Sequence, residues 1–511
     1  MMKNTLTGIA VVAAAALALT SCSSGSSGGG DGDAAAGGNA PLSIGNFLDV
    51  TNWDPASADL GFDGPYLSAV YDALVTTDEN GEPQPGIATK WETSDDFKTV
   101  TFDIRTDAKF SDGTAVDADA VVKGLEHLKE GTTSQEAYVN VDTIKKVDDD
   151  TIEFDLKQRD DTMLYLMGLG RSYLAAPSAI DAGTLSDAPV GSGPYTLADS
   201  SVAGTEYNFD KVADHWDADA FPFDPLKITP LSDATAMLNA MEAEQLNVIY
   251  TDKTGADLAE QNDWNVSQGL ATWAGLMFAD RSGEMGSPIA DLKVRQALNY
   301  AFDTNAMHES IAQGEGVVTD QLWPADTDGY VADLNDKYAY DLDKAKALLE
   351  EAGYGDGFDI TMPMAPPFQP YQAIVEQTFK ELGITVKWEE TDFGSYMAKA
   401  PTYPMYVAVI ALDSNPVATA ERQIAKPQWY NPNPGLDKLD GVQEQLDAVF
   451  SAEPGDAQNA EIEKLNEVVT DQAYNAVWSQ NPNTYVTTKD FTLKPVTGLM
   501  FPTLRQITLA G

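Results

Sequence analysis

The most apolar run after the first 40 residues, 407–412, ends at an acidic side chain, Asp413, which opens a polar turn at 413–416. The run is short and rich in β-forming residues, which is typical of a buried central strand. A carboxylate at the end of such a strand is costly to bury unless a cation pairs with it. Two interpretations follow: Asp413 binds a cationic group of a solute, or its side chain accepts hydrogen bonds from the backbone of its own turn.

Sequence signatures of enzymes are missing from the chain. It has no nucleophile elbow, no His-Glu-x-x-His motif, no phosphate-binding loop and no dinucleotide fingerprint. The three histidines, His127, His215 and His308, are scattered singly, which disfavours a metal cluster. We therefore expect a protein that is not an enzyme and has neither cofactor nor metal. Because the chain has 80 acidic residues that could form an acid–base pair, an extracellular hydrolase remains an alternative.

The only cysteine, Cys22, ends a Leu-Thr-Ser-Cys motif that resembles a bacterial lipobox. Lys3 precedes a short apolar run, residues 9–19, which is too short to span the ~30 Å of a bilayer core. Residues 1–22 are predicted to be a lipoprotein signal peptide, with lipidation at Cys22. Residues 23–40 are predicted to be a flexible linker rich in Gly and Ser. We expect acyl chains, palmitate among them, to anchor the body outside the cell membrane; an ordinary signal peptide is the alternative.

Length and composition indicate a large folded body with more than one core. Roughly 470 residues follow the linker, too many for a single hydrophobic core. Hydrophobic residues make up 43% of the chain, and no later stretch is long and apolar enough to cross a membrane. The net charge of −49 disfavours nucleic acid and anionic lipid as partners. We expect a monomer.

Signals for helices and strands alternate along the body, which predicts an α/β fold built on a mixed sheet. Strands are predicted at 42–47, 100–104, 144–147, 151–156, 247–250, 276–278, 384–388, 407–412 and 485–493. Helices are predicted at 66–74, 232–243, 294–301, 373–382, 446–450 and 462–469. Asp117 and Asp341 are predicted to cap two further helices, and Gly353 to end the second. Residues 264–273 look rich in turns.

Five blocks, taken in order, resemble the family 5 solute-binding proteins of ABC importers, the dipeptide, oligopeptide and nickel-binding group. The blocks are YDALV at 71–75 with PGIA at 85–88, Trp91 with KFSDGT at 109–114, PVGSGPY at 189–195, VRQALNYA at 294–301, and residues 340–354. Each block alone is a weak signal. Their common order and spacing, from about residue 41 to the C-terminus, make the resemblance specific.

The resemblance implies a two-lobed periplasmic-binding-protein-like fold (type II, cluster C), with an extra α+β subdomain and a hinge between lobes. Carried over to this chain, lobe I comprises 41–76, 188–272 and 483–511, the extra subdomain 77–187, and lobe II 273–482. The hinges fall near 272–273 and 480–482. A solute would be buried between the lobes, where pockets form most often, and closure would use the hinge torsions.

The resemblance also implies which residues contact the solute. Asp413 takes the place of the aspartate that holds a peptide's α-amino group in peptide-binding members, although the usual Trp or Cys before it is absent here. Further candidates are Asp49 and Val50 for the ligand backbone, Trp273 and Phe278 beside the hinge, and Trp429 and Tyr430 as an aromatic wall. The alternative for Asp49 and Val50 is a surface acid, and the alternative for Trp273 and Phe278 is core packing. The alternative for Trp429 and Tyr430 is that they anchor their loop.

The function implied is that of a lipid-anchored receptor that captures a peptide and delivers it to the transmembrane permease of an ABC importer. Peptide binders often place an arginine near the strand before the key aspartate, but residues 407–412 contain no basic residue. Arg422 and Lys426 lie after that strand and are possible substitutes. An oligosaccharide or another small organic solute is therefore the alternative ligand.

Overall fold

The computed structural model describes residues 39–510, which lie in one compact unit. The predictions for residues 1–38, including lipidation of Cys22, lie outside the described residues. Within the described chain, no helix is both long and apolar enough to cross a membrane.

The described chain alternates between strands and helices. The strands are β1 (Ala40–Asn46), β2 (Val75–Thr77), β3 (Pro83–Pro85), β4 (Ala88–Thr93), β5 (Thr99–Ile104), β6 (Val141–Lys146), β7 (Thr151–Leu156), β8 (Tyr195–Leu197), β9 (Tyr207–Lys211), β10 (Phe223–Pro230), β11 (Val248–Thr251), β12 (Asn265–Phe278), β13 (Val317–Val318), β14 (Asp359–Met364), β15 (Thr385–Glu390), β16 (Met405–Ala411), β17 (Ala476–Thr487), β18 (Phe491–Leu493) and β19 (Ile507–Leu509). The α-helices are α1 (Gly64–Val70), α2 (Ala118–Lys129), α3 (Met163–Leu166), α4 (Pro177–Ala182), α5 (Ala234–Glu242), α6 (Lys253–Asn262), α7 (Leu292–Tyr300), α8 (Thr304–Ser310), α9 (Leu342–Glu351), α10 (Gln369–Glu381), α11 (Phe393–Lys399), α12 (Pro416–Thr419), α13 (Val442–Ser451) and α14 (Asp456–Asp471). Two π-helical turns, Met167–Arg171 and Ala420–Ala425, continue α3 and α12.

A nine-stranded mixed sheet runs through the body in the order β16-β12-β17-β11-β1-β10-β9-β8, with β13 paired beside β17. Strand β1 is parallel to β10 and β11, whereas β12 is antiparallel to β16 and β17. A separate four-stranded antiparallel sheet has the order β4-β5-β7-β6. The predicted α/β class with a mixed sheet is confirmed.

Strands β12 and β17 are the longest pair of the sheet, and β12 corrects the sequence prediction. Residues 264–273 were expected to form turns because of their Gly, Ser and Gln, but β12 begins at Asn265. Cross-strand pairing with β17 overrides the low strand propensity of this segment. The pairing is interrupted twice, between Leu270 and Thr272 and between Ala274 and Gly275.

Strand β16, which precedes Asp413, lies at one end of the sheet order, so the prediction of a central strand is wrong. Its apolar character arises because other elements cover it. Val407 is fully buried, and the hydroxyl of Tyr396 on α11 donates a 2.5 Å hydrogen bond to its carbonyl oxygen. An edge strand covered in this way needs apolar side chains as much as a central strand does.

Buried apolar side chains collect in clusters that follow the chain segments. The largest cluster draws all its buried members from residues 273–478. A second cluster comes mainly from 56–176, with Ala418, Val496 and Leu499 added. A third combines residues 42–73, 173–228, Val248 and 485–507. The described body therefore contains several hydrophobic cores, as its length requires.

Candidate functional site

Asp413 follows the end of β16 and is buried, with 1% of its surface exposed. The turn after it does not use its carboxylate: Asn415 caps α12 instead, its side chain accepting a 2.9 Å hydrogen bond from the Ala418 N–H. No backbone N–H of the described residues donates to Asp413. The interpretation that Asp413 serves its own turn is therefore wrong, and its partners lie elsewhere.

Asp413 begins a chain of four charged side chains, which we call the ion network. Arg422 donates through Nη1 to Asp413 Oδ1, and the Tyr165 hydroxyl lies 3.4 Å from the same oxygen. Arg422 Nε donates to Glu136 Oε1 at 2.8 Å, and Arg171 Nη2 donates to Glu136 Oε2 at 2.8 Å. Asp413 Oδ2 is buried and accepts no hydrogen bond from any described residue. One carboxylate oxygen at the end of the network is thus unpaired.

The ion network contains two carboxylates and two guanidinium groups, so its formal charges balance. Burial alone would raise the pKa of Glu136, but the guanidinium groups of Arg422 and Arg171 outweigh it and lower that pKa to about 2. Burial would lower the pKa of Arg422, whereas the charges of Asp413 and Glu136 raise it well above its ordinary value. Burial, and then the Asp413 charge, raise the pKa of Tyr165, which is therefore a neutral hydroxyl.

The ion network crosses between two parts of the chain. Glu136 and Arg171 belong to the predicted extra subdomain, and Asp413 and Arg422 to predicted lobe II. Further contacts of this kind are the Thr162 hydroxyl to Glu421 Oε2 at 2.5 Å, Arg159 Nη1 to the Ala452 carbonyl oxygen at 2.7 Å, and Gln458 Nε2 to Asp161 Oδ2 at 2.8 Å. We call this contact between residues 134–171 and 413–459 the seam.

Two cavities, of about 440 and 330 Å³, lie along the seam and share part of their lining. Both are lined by Arg159, Asp160, Asp161 and Val417. The larger cavity also has Glu82 and Asp328 in its wall, so four carboxylates face one arginine there. Carboxylates in a cleft with low-dielectric walls attract cations, and this cavity therefore favours positively charged groups.

Three of the predicted binding residues converge on the π-helical turn that carries Arg422. Asp413 pairs with Arg422 itself, and the Tyr430 hydroxyl donates a 3.0 Å hydrogen bond to the Arg422 carbonyl oxygen. The Trp273 indole N–H donates to Gln423 Oε1 at 3.3 Å. Trp273 and Tyr430 are buried, with 0% and 4% exposed, so both hold the π-helical turn through hydrogen bonds on its buried side. π-Helical turns often occur at functional sites.

The structure does not bring the other four predicted residues to Asp413. Asp49 is exposed and accepts a 2.7 Å hydrogen bond from the Tyr207 hydroxyl, and Val50 packs against a core cluster. Phe278 is fully buried in the largest cluster, whereas Trp429 is 51% exposed. Along residues 39–510, no hydrogen bond joins any of them to the ion network. Their roles in binding stay predictions.

Sequence reasoning missed Glu136, Arg171 and Tyr165, which face Asp413 across the seam. Arg171 carried a weak signal, because it is the only charged residue in the otherwise apolar stretch 163–176. A charged residue in such a stretch usually has a buried partner. Glu136 lies in a polar segment and gave no such signal.

The histidines do not form a metal site in the described chain. His127 lies 2.8 Å from Asp54, and His215 lies 3.2 Å from Asp72, in separate places. No group of three or more His, Cys, Asp or Glu among residues 39–510 is arranged to hold a metal ion.

Comparison with known proteins gives matches at the level of family, relative and fold. Residues 82–431 match the family described as "Bacterial extracellular solute-binding proteins, family 5 Middle". The dipeptide-binding protein of Escherichia coli K12 is 29% identical over 391 residues, 69% of this chain and 70% of that protein. Heme-binding protein A of Haemophilus influenzae is 31% identical over 330 residues, 58% and 59% of the two chains. The solved structure of AgaA with agropinic acid, from A. tumefaciens R10, overlays with a TM-score of 0.76 at 22% identity, covering 92% of this chain and 99% of that one.

Proposed function

Because this chain belongs to family 5 of the bacterial extracellular solute-binding proteins, we propose that it captures a small solute in the cleft between its lobes, beside the seam, and delivers it to an ABC permease. It has the α/β fold of the type II periplasmic binding proteins, over most of its length. In this role the protein performs no reaction and needs no cofactor. Solute binding stabilises a closed shape, and the permease distinguishes that shape from the open one.

The solute that we propose is a peptide with a free α-amino group, which binds at Asp413. The observation that carries this proposal is the buried, unpaired oxygen Oδ2 of Asp413 beside the seam. A buried carboxylate oxygen is costly to leave unpaired, and an ammonium group is its strongest partner. The dipeptide-binding relative supports a peptide as the source of that ammonium.

A second candidate is a small organic solute, or an oligosaccharide, that carries no carboxylate. Three basic side chains of the seam are paired: Arg422 and Arg171 with Glu136, and Lys426 with Glu421. None of these three is therefore available for a peptide's carboxylate without breaking an ion pair. The relatives named for dipeptide and heme binding differ widely in ligand, which agrees with a site whose solute varies.

We propose the two-lobed division with hinges near 272–273 and 480–482. Support comes from the pairing of β12 with β17, which places Trp273 opposite Gln480 and Thr272 opposite Asn481. The two proposed hinge segments are therefore neighbours in the sheet, and the two interruptions of the pairing between β12 and β17 lie beside them. Weakened pairing at that point suits a hinge. The largest core cluster, with members from 273–478, supports a separate lobe II.

We propose that the protein is held outside the cell membrane by a lipid on Cys22, as a monomer that does not bind nucleic acid. The family's extracellular location supports this placement. Metabolic labelling with an alkyne-tagged palmitate tests the anchor. Label must enter the wild-type protein and be absent from Cys22→Ala; equal labelling of both would exclude Cys22 as the lipidation site.

Mass spectrometry of the solute released when the purified protein is denatured tests the proposed ligand. The expected result is a stoichiometric peptide with a free amino terminus. A neutral sugar would reject the peptide and the ammonium together. A turnover product found instead of an intact solute would support the alternative of a hydrolase.

A further inference from the structure

Glu136 lies between two guanidinium groups that come from opposite sides of the seam. Arg171 is on its own side and Arg422 is on the side of Asp413, each 2.8 Å from a different oxygen of Glu136. We propose that Glu136 is a positioning residue for solute binding: it draws Arg422 to one oxygen of Asp413 and leaves the other for the solute. This inference rests on the proposed function.

The argument begins with the number of donors that Arg422 directs at Asp413. A guanidinium group commonly binds a carboxylate through two parallel N–H bonds, which occupy both carboxylate oxygens. Here Glu136 holds the Nε–H of Arg422 and so fixes the orientation of the guanidinium plane, and in that orientation the hydrogen bond to Asp413 runs from Nη1 to Oδ1. Asp413 Oδ2 is left buried and unpaired among the described residues. Glu136 therefore determines how many oxygens of Asp413 are available.

The position of Glu136 is itself fixed. Arg171 binds its second oxygen, and the Tyr430 hydroxyl holds the Arg422 backbone from the other side at 3.0 Å. Glu136 and Arg422 both have most of their side-chain surface buried, with 25% and 17% exposed. Such an arrangement is set only when the seam is closed, because Glu136 and Arg422 belong to opposite sides of it. When the seam is closed, Asp413 Oδ2 is therefore left without a partner, and a cationic group of the solute can bind to it.

Removing the charge of Glu136 should release Arg422 to bind Asp413 with two N–H groups. Arg422 then competes with the solute's ammonium for Oδ2. We expect Glu136→Gln to weaken binding of a free-amine solute about tenfold. Removing the competitor should restore binding, so the double variant Glu136→Gln with Arg422→Gln should bind more tightly than Glu136→Gln alone. A merely structural role of Glu136 predicts the opposite order, because the double variant also loses the ion pair between Arg422 and Asp413.

The test is calorimetry of the full chain with L-alanyl-L-alanine and its N-acetyl derivative as probes. Glu136→Ala provides a second single variant with the same expected direction, and thermal unfolding shows that each variant is folded. The matched control is Glu153→Gln in β7, which removes an acceptor of Lys145 at 2.7 Å and breaks no ion pair with residues 413–459. The control should bind both probes like the wild type. Unchanged binding in both Glu136 variants, or a double variant that binds more weakly than Glu136→Gln, would overturn the inference.

Small-angle scattering separates this inference from the proposed function. If the wild type binds neither probe, the proposed peptide is wrong, but the role of Glu136 in the seam is still measurable. Glu136→Gln should then increase the radius of gyration of the solute-free protein, and Glu153→Gln should not. An identical radius of gyration for the wild type and both variants would reject the role of Glu136.

Discussion

Replacing Asp413 by asparagine removes the one charge that we assign to solute recognition and changes the side-chain shape very little. A charge-assisted hydrogen bond contributes ~1.5–3 kcal/mol, which corresponds to a roughly ten- to hundredfold loss of affinity. Arg422 keeps its 2.8 Å contact with Glu136, so the variant retains one ion pair across the seam. We therefore expect a folded protein whose affinity for free-amine solutes is at least about tenfold weaker.

Calorimetry with L-alanyl-L-alanine and its N-acetyl derivative measures this loss independently of any change in folding. The wild type should prefer the free amine, and Asp413→Asn should lose that preference. Asp437→Asn is the matched control, because its carboxylate pairs with Lys438 on the surface of the same predicted lobe. A preference for the free amine that survives in Asp413→Asn would refute the assignment of Asp413.

Three further substitutions test other parts of the structure. Burial raises the pKa of Asp320 to about 7, so the stability that its protonation provides is complete below its ordinary pKa of 3.8 and is lost as the pH rises through 7. Asp320→Asn can still accept the 2.9 Å hydrogen bond from the Tyr338 N–H. The melting temperature of this variant, relative to that of the wild type, should rise between pH 5 and pH 8. A difference in melting temperature that stays constant with pH would contradict the raised pKa of Asp320. A Cβ at Gly275 would lie 2.0 Å from a carbonyl oxygen of β17, so Gly275→Ala should destabilise the protein by about 1–3 kcal/mol in urea unfolding. The control Gly394→Ala on α11 should not destabilise it, and equal effects of the two substitutions would contradict the tight pairing of β12 with β17. Trp429→Ala should change the free energy of unfolding by less than about 0.5 kcal/mol, since half of this side chain is exposed, and should weaken solute binding; unchanged affinity would remove Trp429 from the site.

Local signals in the sequence were sufficient to predict where α2 begins and where α9 begins and ends. Asp117 accepts a 2.9 Å hydrogen bond from the Ala120 N–H, and Asp341 does the same for Lys344, as their cap positions predicted. Gly353 has a φ of +85°, the conformation expected after the end of α9. Such features depend on residues a few positions apart, and a sequence displays them directly.

Features that depend on distant partners were not predictable in the same way. Residues 265–270 became a strand only because β17, more than 200 positions later, pairs with them. The position of Asp413 after a buried strand was predicted, but Glu136, which pairs with Arg422, lies 286 positions from that arginine. Nothing near Glu136 in the sequence indicates this contact. The sequence therefore predicted Asp413 as the carboxylate of the candidate site, but it did not predict the residues that face Asp413 across the seam.

A crystal structure of the protein with its co-purified solute is the most direct test of the central claim. We predict a solute nitrogen within about 3.2 Å of Asp413 Oδ2, with Arg422 still bound to Glu136. A solute that binds away from the seam, or an Arg422 that occupies both oxygens of Asp413 in the loaded protein, would contradict it.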